Sequence, residues 1–105
     1  MPTTDQLYVE LWVSLASLLR SYTAAHGLNK TTQATVELGE ERIMVRHGDA
    51  WLDLERDGAL IRWSRPDGKA GIMELTEAGR LKADDGKHEE EMDIVAEAWA
   101  RELMT

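Results

Sequence analysis

Between Thr32 and Leu75, apolar residues recur at every second position, and short glycine-bearing segments interrupt the alternation at regular intervals. A period of two marks strands that lay one face on a core. A chain that keeps it through several close reversals is predicted to form an antiparallel meander. Two-residue turns at Gly39-Glu40, Gly48-Asp49 and Asp57-Gly58 each carry the glycine that primed hairpin turns favour. Pairing then follows by arithmetic. Val36 meets Ile43 and Ala34 meets Val45; Val45 meets Leu52 and Ile43 meets Leu54; Leu54 meets Ile61 and Leu52 meets Trp63. On the reverse face Glu37 meets Arg42, Arg42 meets Glu55, Asp53 meets Arg62 and Arg46 meets Trp51. Opposite charges facing each other stabilise such pairs, and a slip of one residue would carry carboxylates into the core.

The predicted strands span about 32–38, 42–47, 50–56, 59–65 and 70–75. Pro66-Asp67-Gly68 suits a type I turn followed by a bulge. Ile72, Met73 and Leu75 belong to the fifth strand with a register open by one residue, and Arg80 to Ala83 allows a short sixth.

Helices flank this region. In residues 4–26, Thr3 with Gln6 fits a capping box and Gly27 a stop. Leu7, Leu11, Leu15, Leu18, Leu19 and Tyr22 share a face at the 3.6-residue period, which Tyr8, Val9, Trp12 and Ala16 widen. An arc this wide covers more than a sheet, and Tyr8, Val9 and Trp12 are expected against the second helix. That helix is predicted over about 86–103, capped by Asp84-Asp85-Gly86, with Glu89, Glu90 and Glu91 complementing its dipole. Met92, Val95, Trp99 and Leu103 form its apolar stripe.

Together these elements predict one α+β domain over residues 1–105, a two-layer sandwich with both helices on one face of the sheet. The order of helix, antiparallel sheet and closing helix resembles the frataxin-like architecture, which implies an acidic cation-handling or chaperone-like protein as an alternative function. A second, local likeness lies in Glu74-Leu75-Thr76-Glu77-Ala78-Gly79-Arg80, which resembles the segment following the wing in winged-helix regulators. Residues 32–63 read as strand where that family has its helix-turn-helix, so Thr76 to Arg80 is taken as a turn.

Net charge is −8, which repels phosphate backbones and disfavours nucleic acid. The chain has no cysteine, excluding thiolate nucleophiles and thiolate metal sites and suiting a reducing cytoplasm. The longest uncharged stretch of the first helix, Leu11 to Leu19, is too short to span a membrane. There is no GxSxG, no glycine-rich phosphate loop and no dinucleotide fingerprint, so an enzyme is not the expected reading. Neither a cofactor nor a metal is implied. His88-Glu89-Glu90-Glu91 lacks a second spaced histidine, and His47 and His26 are assigned structural roles at a strand end and a helix end.

What remains is the outer sheet face, where Met44, Arg46, Trp51 and Arg62 gather with Arg42, Asp53, Leu60 and Ile72. Arginine, methionine and aromatic residues dominate protein contacts. The expectation is a small cytoplasmic binding or adaptor protein that uses this face toward a protein partner or a second copy of itself, as a homodimer. Arg46 stacked on Trp51 is the alternative use of that ring. A small-ligand site near His47 and Trp63, beneath the helices, is a third reading.

Overall fold

The computed structural model describes residues 4–28, 33–83 and 88–104. An N-terminal helix α1 (Thr4–His26) leads into seven strands: β1 (Thr35–Leu38), β2 (Arg42–His47), β3 (Ala50–Asp57), β4 (Leu60–Ser64), β5 (Ala70–Leu75), β6 (Arg80–Ala83) and β7 (Glu89–Glu91). Helix α2 (Met92–Leu103) closes the chain. The strands pair in sequence order as one antiparallel sheet. The α+β meander with a helix at each end is as predicted, with seven strands where five or six were expected.

One face of that sheet is the core face. Ile43, Val45, Leu52, Leu54, Ile61, Leu75 and Leu81 project from it and pack with Trp12, Leu15, Ala16 and Leu19 of α1 and with Met92, Val95, Ala96, Trp99 and Leu103 of α2. Leu54 is 0 % exposed and Leu52 2 %. Each such burial contributes about 1.5–3 kcal/mol, several times what an exposed ion pair on the other face adds. The inward alternation therefore dominates the energetics.

Alternation survives intact, but two hairpins are displaced from the predicted register by two residues. Across β1 and β2, Val36 meets Val45 and Leu38 meets Ile43. Neither the predicted Val36–Ile43 pair nor Ala34–Val45 forms, and Glu37 lies opposite Met44 rather than Arg42. The reversal falls on Glu40 and Glu41, with the Gly39 N–H donating to the Arg42 carbonyl at 2.7 Å. Across β3 and β4, Leu54 meets Trp63 and Arg56 meets Ile61, in place of Leu54–Ile61 and Leu52–Trp63. The reason lies in the turn. A type I′ turn at Asp57-Gly58 would put both residues at positive φ, whereas only Gly58 takes it, at 61°, with Ala59 as the second loop residue. The turn between β2 and β3 uses Gly48 at φ 60° in the same way, and there the predicted pairs Val45–Leu52, Ile43–Leu54, Arg42–Glu55 and Arg46–Trp51 all form. A two-residue shift preserves parity, so no side chain changes face.

β5 resolves its open register: Met73 and Leu75 turn inward and Ile72 outward. Trp63 faces Gly71 across the β4–β5 ladder. The turns at Arg65–Lys69 and Thr76–Arg80 share one hydrogen-bonding pattern, with Gly68 and Gly79 each donating three residues back and each at positive φ. Residues 76–80 are thus the predicted turn.

The predicted second helix is shortened at its start. Glu89 to Glu91 form an edge strand in which Glu91 faces Arg80 and Glu89 faces Lys82, and the Ala83 N–H donates to the His88 carbonyl at 2.8 Å. Ladder pairing with two cations on β6 outweighs the helix-dipole role expected of these carboxylates. Glu91 sits at the N-cap of α2 without a side-chain cap bond. The predicted caps at Asp84-Asp85-Gly86 and at Thr3 lie outside the described residues. The apolar stripe of α2 is buried as expected. On α1, Trp12 is buried and its indole donates to the Gly39 carbonyl at 3.1 Å, tying the helix to the β1–β2 hairpin. Tyr8 packs against the core, but Val9 stays 37 % exposed, contrary to its expected place under α2. His26 and Glu97, 3.1 Å apart, join the two helices near the surface. Among the described residues no helix is long and apolar enough to cross a membrane.

Candidate functional site

Strand pairing lays the outer face out in rows. One row runs Thr35, Arg46, Trp51; the next Glu37, Met44, Asp53, Ser64, Ala70; the third Arg42, Glu55, Arg62, Ile72. The four residues singled out from the sequence, Met44, Arg46, Trp51 and Arg62, therefore share this face. Met44, Arg46 and Trp51 come together around one depression of about 360 Å³, which Arg42 and Asp53 also line. Arg62 lies apart from it, beside Ile72 at a second depression of about 490 Å³ over β3 to β5.

Charge pairing on the face differs from the predicted scheme. The Arg42 guanidinium grips the Asp53 carboxylate with both prongs, Nε to Oδ1 at 2.8 Å and Nη2 to Oδ2 at 3.0 Å. This bond runs diagonally across β2 and β3, whereas Asp53 was expected opposite Arg62. Its register partner is Ser64, and Arg62 faces Glu55 instead. The hydrogen bond to Asp53, with its charge and those of Glu55 and Glu37, holds the Arg42 guanidinium above its ordinary pKa. Between these charges stand Leu60 and Ile72, exposed by 42 % and 41 %, and the half-buried Met44 and Trp51.

Trp51 faces Arg46 across β2 and β3 and is half-buried. Among the described residues the stacked arginine is Arg65, whose guanidinium lies 5.7 Å from the centroid of Trp63. Trp51 instead sits where the outer face meets a cleft of about 460 Å³ at one end of the sheet. The start of β3, the β4–β5 turn and the last turn of α2 build this cleft, and Trp99, Leu103, Arg65 and Lys69 join Trp51 in lining it. The position is near the small-ligand region expected by His47 and Trp63, although neither of those two residues lines it. His47 faces inward at the end of β2, half-buried.

Arg65 organises the cleft. Its guanidinium meets Asp67 at 3.3 Å and pairs with Glu102 of α2, and its side chain is only 17 % exposed. Sequence reasoning assigned Trp99 to the core stripe and Arg65 to no role. Nothing local to either residue signals that the end of α2 lands beside the β4–β5 turn. The acidic run Glu89 to Glu91 is strand, so successive carboxylates point to opposite sides. Among the described residues, no three His, Asp or Glu side chains converge as metal ligands would.

No family model, no curated protein and no solved structure matches this chain. What it shares with the frataxin-like order is the succession of helix, antiparallel sheet and helix.

Proposed function

We propose that this chain is a small cytoplasmic binding or adaptor protein that uses its outer sheet face for protein contact, first of all with a second copy of itself. The reading rests on one observation: a face with Leu60 and Ile72 exposed and Met44 and Trp51 half-buried between nearly balanced charges, on a chain of net charge −8. Across β1 to β4 the arginines Arg42, Arg46 and Arg62 stand among Glu37, Asp53, Glu55 and Asp57, which leaves this face close to neutral. Two acidic chains repel in most orientations, and contact is least opposed where the local charge nearly cancels. An isologous interface also needs both signs within one patch, since each residue meets its own surface turned over. The absence of cysteine suits the reducing compartment assigned.

Sedimentation equilibrium tests this directly. The parent should run at twice the chain mass of 11.8 kDa. Trp51→Ala removes the largest apolar group of the face, and Arg46→Glu shifts the patch toward repulsion. Either variant should shift the protein toward monomer while its circular dichroism is unchanged. A monomeric parent, or variants that sediment as the parent does, overturns the proposal.

A further inference from the structure

The cleft at the end of the sheet joins a volume like that of the outer depressions to a lining the outer face lacks. Its volume of about 460 Å³ lies within the range of roughly 300–1,000 Å³ usual for small-molecule sites. Two indoles, Trp51 from β3 and Trp99 from α2, line it together with Leu103, giving apolar surface suited to a flat ring. Beside them stand Arg65 and Lys69.

The charges lining the cleft sum to zero, Asp67 and Glu102 against Arg65 and Lys69, but they are unevenly engaged. Its two carboxylates, Asp67 and Glu102, are both engaged by Arg65. Those contacts hold the guanidinium in the wall against Trp63, itself 6.4 Å from Trp99. Arg65 Nε is shielded from solvent and donates to no acceptor among the described residues. The Lys69 ammonium has no carboxylate within ion-pair distance among those residues either, since the Asp67 contact of Lys69 is made by its backbone N–H. The cleft thus combines aromatic walls with one ammonium, that of Lys69, standing outside the ion pairs.

We infer that this cleft binds a small planar aromatic molecule carrying one anionic substituent, with its ring against Trp51 and Trp99 and its charge toward Lys69. The two proposals share Trp51, which lines both depressions, and are separated by Arg46, which lines the outer depression and not the cleft.

The test uses 1-anilinonaphthalene-8-sulfonate as the probe and N-phenyl-1-naphthylamine as its uncharged counterpart. Fluorescence titration of the full chain should show one saturable site for the anion, with the indole NMR signals of Trp51 and Trp99 shifting together. Lys69→Glu should weaken the anion about threefold and leave the neutral probe unchanged. Glu102→Gln, which releases Arg65 from one carboxylate, should tighten the anion by a similar factor. Opposite responses of two exposed charge changes separate a built site from a folding defect. Arg46→Glu should bind the probe as the parent does even where it abolishes self-association, so the two proposals fail separately. Unsaturable binding, indole signals that do not move, or equal affinity for both probes in every variant overturns the inference.

Discussion

Replacing Gly71 by alanine should destabilise this fold by about 1–2 kcal/mol, although the change adds a single methyl to a β-strand. Gly71 lies opposite Trp63 on the core face. A Cβ at this position would stand 2.7 Å from Trp63 Nε1, 2.8 Å from Cε2 and 2.9 Å from Cζ2. Ordinary contact needs about 3.5–4.0 Å, so the ring would have to retreat by roughly 1 Å. Retreat is obstructed, since the indole lies between the Arg65 guanidinium, 5.7 Å from its centroid, and the Trp99 ring at 6.4 Å. Overpacking of this kind costs about 1–3 kcal/mol. Stiffening of the unfolded chain returns about 0.4–1 kcal/mol, which leaves the net figure above. For a chain of this size the melting temperature should fall by about 5–15 °C.

Urea and thermal unfolding of four proteins test this: the parent, Gly71→Ala, Trp63→Leu and the double variant. Trp63→Leu removes the ring, so adding Gly71→Ala in that background should be neutral or stabilising, as alanine exceeds glycine in a strand by about 0.5–1 kcal/mol. The sign of the glycine substitution therefore reverses between backgrounds. A Gly71→Ala protein as stable as the parent, or an equal cost in both backgrounds, refutes the argument.

Two further substitutions probe the scaffold. Gly58→Ala, at φ 61° with nothing within 4 Å of the new Cβ, should lose about 1–2 kcal/mol from backbone strain alone, read as a lower urea midpoint with an unchanged slope. Trp12→Phe keeps an aromatic core but removes the indole bond to the Gly39 carbonyl. It should cost about 1–3 kcal/mol by the same measurement and speed amide exchange in the β1–β2 hairpin.

The alternation from Thr32 to Leu75 was enough to place Leu52 and Leu54 inside and Met44, Arg46, Trp51 and Arg62 outside, because facing depends only on the parity of position along a strand. Parity is insensitive to the two-residue shifts at the Glu40-Glu41 and Gly58-Ala59 turns, so every facing assignment survived while the pairs themselves changed. Which residue takes the left-handed conformation is a choice between neighbouring backbone geometries of similar energy, and the packing of whole hairpins under α1 and α2 decides it. For the same reason Glu89 to Glu91 could be read as a helix start from their charge alone. Their strand conformation depends on Arg80 and Lys82, which chain reversal brings alongside.

The outer face was thus legible before any coordinates, and the cleft was not. Composition and periodicity determine the class of fold and the side on which each residue lies, since both follow from steric rules that act over a few residues. The meeting of Trp51, Arg65 and Trp99 belongs to the tertiary structure alone, because it requires three segments distant in sequence to converge at one end of the sheet, and no local rule encodes where α2 comes to rest.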